Sequence, residues 1–137
     1  MQQSTLSSYL VAPLFAPEST AQNRAFRFDA FTYLPEQALL LRDGAAVRLG
    51  SRALDILTCL VEQAGRIVEK QVLFRRVWPT TVVEEVSLRV HMVALRKALG
   101  EGENGARYIV NAPGRGYRFV APVHLTAAAT GWSVVAA

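Results

Sequence analysis

The sequence predicts an α+β domain, and three observations predict it. Between residues 26 and 49 apolar and polar residues alternate around an Asp43-Gly44 pair. Between residues 52 and 99 three stretches place apolar residues at helical spacing. A second β-rich pair, residues 108–110 and 117–120, then encloses Asn111-Ala112-Pro113-Gly114-Arg115-Gly116. Period 2 marks half-buried strands and period 3.6 marks amphipathic helices.

Each element has a local reason. Phe26-Arg27-Phe28 and Phe31-Thr32-Tyr33 alternate on either side of a phase change at Asp29-Ala30, which predicts two strands joined by a turn or bulge. Asp43-Gly44 between the apolar runs 38–41 and 46–49 predicts a hairpin, because both central residues of a type I′ turn need positive φ. Ser51 is the expected cap of a first helix that begins near Arg52. That helix buries Ala53, Leu54, Ile56, Leu57, Leu60 and Val61, and Gly65 ends it. Arg66-Ile67-Val68 reads as a short extended piece. Residues 70–78 place Val72, Leu73, Val77 and Trp78 on one side of a second helix, which Pro79 stops. Glu69 is an expected weak cap for it. A loop of Pro79, Thr80, Thr81, Val82 and Val83 leads to a third helix over residues 84–99, closed by Gly100. Acids open this helix and Arg96-Lys97 lie near its end, in keeping with the helix dipole.

Charge marks the limits of the folded unit. The chain of 137 residues has fifteen Lys+Arg against eleven Asp+Glu, a net charge of +4 and a pI near 9.7. Glu18 is the only charged side chain among residues 1–23, and residues 126–137 have none. This divides the chain into an N-terminal arm (1–23), expected to be flexible, a basic domain (24–125) and a C-terminal tail (126–137). Thirteen of the fifteen cations are Arg, the side chain best matched to phosphate. Residues 1–23 carry no positive charge and Pro13 interrupts their apolar run, which is not the pattern of a signal peptide. No stretch approaches the ~18 apolar residues of a membrane span. A cytoplasmic protein without membrane association is expected.

The third helix carries the clearest functional pattern. Leu88, Met92, Leu95 and Leu99 share the face expected to meet the core. Arg89, Val93 and Arg96 form a second face, and Ser87, Val90, Ala94 and Lys97 a third. Cations on such a surface reach phosphates while small and apolar residues approach base edges and thymine methyls. A solvated helix face with a few charges has the same look. The Gly114-Arg115-Gly116 tip adds a cation to a hairpin that follows this helix, which is the arrangement of a winged helix-turn-helix. There Arg115, with Arg118 just beyond it, reaches the minor groove. An arginine exposed in a turn is the plainer reading of the tip alone.

At these residues a resemblance enters. Glu84-Glu85-Val86-Ser87-Leu88-Arg89-Val90-His91-Met92-Val93-Ala94-Leu95-Arg96-Lys97-Ala98-Leu99, followed by Gly114-Arg115-Gly116-Tyr117-Arg118-Phe119, resembles the OmpR/PhoB-type winged-helix DNA-binding domain. The likeness covers about residues 26–123, including an N-terminal four-stranded antiparallel sheet, a three-helix core and a C-terminal hairpin wing. It implies that the third helix recognises double-stranded DNA, with Ser87, Val90 and Ala94 facing bases. It implies phosphate contacts from Trp78, His91, Arg96 and Tyr117, to which the charges of Arg89 and Lys97 add. It implies that the wing approaches the minor groove and that the loop 79–83 matches one that can meet RNA polymerase. Members of this family commonly bind direct repeats as head-to-tail dimers.

The sequence also departs from the family pattern. Val86, Val93 and Ala94 stand where many response regulators carry Arg, so fewer bidentate guanine contacts are expected. Pro113 precedes the wing tip where some relatives carry Arg. Residues 1–23 are too few for a phosphoacceptor receiver domain. The domain resembles the part of the family fused to other effector domains, standing alone or cut from a longer chain.

Other classes of function have less in the sequence to support them. His91 and His124 are the only histidines and Cys59 the only cysteine, so no metal cluster, disulfide or cofactor is expected. Cys59 and Trp78 have the spacing of core residues, and His91 suits either a phosphate contact or helix packing. Adjacent Glu84 and Glu85 do not share a helix face, and no nucleophile or phosphate-loop motif occurs, so an enzyme is not expected. The alternative is a winged-helix protein-interaction module that uses Val86, Val90 and Val93 as an apolar patch in place of DNA contacts.

Overall fold

The computed structural model describes residues 24–127. Most of the expected arm and tail, residues 1–23 and 128–137, lies outside the described residues. Five antiparallel strands form one sheet in the order β4-β3-β2-β1-β8: β1 (Arg24–Phe28), β2 (Phe31–Leu34), β3 (Leu39–Arg42), β4 (Ala45–Ala46) and β8 (His124–Ala127). Three helices follow β4: α1 (Ser51–Glu62), α2 (Lys70–Val77) and α3 (Glu85–Leu99). A second sheet, ordered β5-β7-β6, consists of β5 (Ile67–Glu69), β6 (Ile109–Ala112) and β7 (Gly116–Phe119).

The hairpins form where turn chemistry allows. Asp43 and Gly44 have φ of 51° and 83°, so both central positions adopt the conformation that the Asp-Gly pair predicts. Phe28 pairs with Phe31 across Asp29-Ala30, and Asp29 takes a φ of 55°. The strand expected over 46–49 is shorter and displaced. Only Ala45 and Ala46 pair with β3, and Val47 closes the ladder through its N–H to the Leu40 carbonyl, 2.8 Å.

Two further expectations are corrected. Ser51 does not cap α1. Gly50 is the N-cap residue, its carbonyl accepts the Leu54 N–H at 3.0 Å, and no side chain caps the helix. Ser51 therefore already occupies the first helical position. Thr126 and Ala127, assigned by charge to the tail, belong to β8 and pair with Ala25 and Arg24. The N-terminal sheet thus has five strands where the resemblance implied four. The weak cap at Glu69 is as expected, with no side-chain bond to the start of α2.

The core lies between the large sheet and the helices. Helix α1 buries Ala53, Leu54, Ile56, Leu57, Cys59, Leu60 and Val61, and α3 buries Leu88, Met92, Leu95 and Leu99. Burial of this many aliphatic side chains is the main favourable contribution to folding, about 1.5–3 kcal/mol for each large one. An aromatic group joins the two sheets. Phe28 stacks on Phe31 at 5.3 Å, meets Phe119 edge-on at 5.0 Å and Tyr108 at 6.0 Å. The Tyr108 hydroxyl donates to Asp29 Oδ2 at 2.6 Å, fastening the β1–β2 turn to the start of β6. Burial, reinforced by Asp29, pushes the Tyr108 phenol up to about 12. Tyr33 makes the matching link to α1, with its hydroxyl 2.9 Å from the Leu54 carbonyl and 2.6 Å from Thr58 Oγ1.

Candidate nucleic-acid interface

Helix α3 turns its leucines and Met92 inward, as its spacing predicts, and this fixes what faces outward. At 100° per residue the direction opposite the buried stripe is occupied by Val86, Val90, Val93 and Lys97. The three valines are exposed by 52%, 59% and 64%. Arg89 lies on one flank and Ala94 on the other, both exposed, and Ser87 is half-buried at the edge. Together they make an apolar row at the centre of the outward surface of α3.

The hairpin of β6 and β7 is fastened along α3 at both ends. Near the start of α3, Glu85 is ion-paired with Lys70, whose backbone N–H donates to the Arg115 carbonyl at 3.0 Å. Lys70 thereby links the wing tip to the first turn of the helix. The Lys70 ammonium holds the Glu85 carboxyl below its ordinary range through their hydrogen bond. Near the other end, Arg96 Nη2 donates to Asn111 Oδ1 at 2.6 Å and to the Ile109 carbonyl at 3.3 Å. Arg96 Nε faces Glu101 Oε1 at 3.2 Å, while Glu101 Oε2 accepts the N–H groups of Tyr108 and Ile109 at 3.3 and 3.2 Å. Glu101 and Arg96 form a brace between α3 and β6.

At the wing tip, Gly114 has a φ of 74°, and the Arg115 N–H donates to the Ala112 carbonyl at 2.9 Å. Gly116 is required on steric grounds, since a Cβ there would lie 2.0 Å from the Val68 carbonyl oxygen. Arg115 and Arg118 are exposed. Among the described residues neither has an acid within ion-pair distance, and the same holds for Arg89 and Lys97.

The predicted phosphate-contacting residues divide into three groups. Arg89 and Lys97 are exposed cations on α3. Arg96 is on the same helix but is engaged by Glu101 and Asn111. Trp78 and Tyr117 are buried in the core cluster, so only the polar edge of either ring is suited to a phosphate. His91 is half-buried with its ring 5.8 Å from that of Trp78, and the Arg52 guanidinium lies over the same indole at 5.8 Å. Arg52 also donates to the Val77 carbonyl at the end of α2. Sequence reasoning missed Arg52, Lys70 and Glu101. Their roles depend on partners 15 or more residues away, or on the turn beyond Gly100, and no local pattern marks them.

The loop 79–83 projects between α2 and α3. Val82 is fully exposed, and the loop helps frame a shallow cavity of about 460 Å³ lined by Phe74, Arg75, Trp78, Pro79 and Val83 among others. Cys59 is buried, and burial raises its thiol above the ordinary range, the setting of an inert core cysteine. Among the described residues no helix is long and apolar enough to cross a membrane.

Comparison with known proteins agrees with this architecture. The family described as "Transcriptional regulatory protein, C terminal" matches residues 44–119. Transcriptional regulator HilA of Salmonella typhi is 39% identical over 111 residues, covering 81% of this chain and 20% of HilA. The chain therefore spans about a fifth of the length of that relative. Among solved structures, the DNA-binding domain of Escherichia coli CadC superposes with a TM-score of 0.67 and 26% identity, over 75% of this chain and 97% of that one. The Klebsiella pneumoniae RstA DNA-binding domain, solved in complex with the RstA box, gives 0.60 at 23% identity, over 70% and 96%, and shares the fold.

Proposed function

Because this chain belongs to the OmpR/PhoB-type family of transcriptional regulatory C-terminal domains, we propose that it binds duplex DNA sequence-specifically and regulates transcription. Helix α3 enters the major groove and the β6–β7 wing follows the adjacent minor groove. One observation carries this reading. The wing is fastened to both ends of α3, so the uncompensated cations Arg89, Lys97, Arg115 and Arg118 belong to one braced assembly. CadC and RstA, which share this fold, are described as DNA-binding domains.

Phosphate contacts supply most of the affinity and orient the helix, while the residues between the cations select sequence. Val90 faces the bases in this arrangement, with Val86 and Val93 beside it and Ser87 and Ala94 on the flank of the same surface. Trp78, His91 and Tyr117 contribute at the rim, and the loop 79–83 is available to RNA polymerase. Two copies bind head to tail on direct repeats. No step calls for a cofactor, a metal or an enzymatic reaction, and the domain acts in the cytoplasm.

Selection of bound duplexes from a random pool at about 0.15 M salt, followed by sequencing, tests the reading. Enrichment of two similar half-sites in direct repeat supports the full scheme, and a single half-site supports a monomer. The exposed valines favour a second reading, a protein-interaction module built on the same face. Absence of any enrichment, with no retention of DNA at low salt, decides for that second reading.

A further inference from the structure

We propose that this domain reads thymine C5-methyl groups, through a row of valines, as its main source of base discrimination. The inference rests on the DNA-binding reading above and deepens it. The most outward line of α3 is Val86, Val90, Val93 and Lys97. No side chain in the first three positions can donate or accept a hydrogen bond. Neither Arg, Asn nor Gln occupies the centre of the face, so the bidentate contacts that identify guanine and adenine are missing there. In the major groove an apolar side chain has one specific counterpart, the methyl group of thymine.

Charge complementarity identifies the occupant of this face as a duplex. Arg89 and Lys97 lie beside and at the end of the valine row, and Arg115 and Arg118 are on the braced wing. Strands of phosphates on both sides of a groove match cations that border an apolar centre. The helix also needs no rearrangement to make the contact, because Val86, Val90 and Val93 are already more than half exposed. The recognised half-site therefore contains A·T pairs opposite the valines, with methyls on the edge that the helix approaches.

The test uses the most enriched duplex from the selection, synthesised once with thymine and once with deoxyuridine in its place. This exchange deletes methyl groups and leaves every base-edge donor and acceptor unchanged. Binding of the full chain is measured to both duplexes at two salt concentrations. The expected result is a loss of about fourfold for each methyl in contact, with the salt slope unchanged. The same measurement is then made with Val90→Ala and Val93→Ala. Both sites are exposed, so folding is retained, and a thermal melt verifies it. Each variant should bind the thymine duplex more weakly than the parent and differ little from it on the deoxyuridine duplex.

The other outcomes separate cleanly. Equal, salt-dependent binding of the two duplexes overturns methyl recognition and leaves DNA binding intact. A thymine preference that the valine variants keep undiminished overturns the assignment to this row and places the sensitivity in duplex shape. Retention of neither duplex at low salt overturns the DNA-binding reading itself, and a protein partner then becomes the occupant.

Discussion

At the start of β1, Arg24 reaches Glu36 at 2.9 Å and Glu62 at 2.8 Å, and Arg76 shares Glu62 at 2.9 Å. On α3 and the wing, Arg89, Lys97, Arg115 and Arg118 have no such acid among the described residues. The two regions use their cations in opposite ways. The first set joins β1, the turn Pro35–Gln37, α1 and α2 into one cluster, and its charge is satisfied within the fold. The second set is left in water, free to meet an anion from outside the domain. Arg27, Arg66, Arg75 and Arg107 are also exposed and outside any ion pair among the described residues, so it is the placement of Arg89, Lys97, Arg115 and Arg118 around one braced helix and wing that sets this face apart. Arg96 falls between the two, placed on α3 but neutralised by Glu101.

Four measurements can break or sharpen this contrast. The largest effect is expected from Gly116→Ala. The added Cβ collides with the Val68 backbone and must part β5 from β7, so stability falls by about 3 kcal/mol or more. Thermal unfolding reads this directly, and an unchanged midpoint would show that the wing sheet is free to shift. Next, replacing Arg89 and Lys97 together by Ala should flatten the slope of log affinity against log salt by about two units. Replacing Arg76 by Ala should leave that slope alone and lower stability instead. Equal effects from both changes would erase the distinction between the two regions.

Glu62→Gln should cost about 1 kcal/mol, because two arginines lose their shared partner. Its pH dependence is a second readout. Burial alone would raise the Glu62 carboxyl, but hydrogen bonds from Arg24 and Arg76 outweigh it and hold the group below its ordinary range. Its stabilisation is therefore complete above the ordinary glutamate range and is lost as the pH falls through the lowered value. Urea unfolding between pH 7 and pH 3 should show a shallower acid decline in the Gln variant. A parallel decline would mean that other carboxylates govern it. The smallest expected change is in the salt slope on Arg96→Ala. The sequence implied a loss of about one unit, as for any phosphate contact. An arginine already paired with Glu101 predicts weaker binding with little change in slope. A full unit lost would show that DNA draws Arg96 away from its brace.

What the sequence disclosed follows the range of the interactions involved. Asp43-Gly44, the buried stripe of α3 and the tight Gly114-Arg115-Gly116 tip are local, and all three are found where their residues predict. Strand β8 was not legible. His124-Leu125-Thr126-Ala127 does alternate, but the run is short and its end is uncharged, which assigned it to the tail, and its stability comes from β1, some hundred residues earlier. Ser51 misled because capping preference is a property of residue type, whereas Gly50 decides where the helix begins. Helical spacing separated the buried stripe of α3 from its outer surface, but it put Val90 and Val93 on different faces, where the fold sets both opposite the buried stripe. The restraint on Arg96 was not readable, since it depends on a turn through Gly100, with a φ of 73°, that returns Glu101 towards the helix.

The pairing of β8 with β1 has a mechanical consequence. Arg24 and Ala127 are register partners in an antiparallel ladder that continues inward to Arg27 and His124. Interstrand hydrogen bonds run across the strands, so a pull that separates residues 24 and 127 loads them one after another, as in opening a zipper. Tension arriving through the flanking segments is therefore spent first on four residue pairs at the sheet edge. The helices and the wing remain assembled until that ladder has opened.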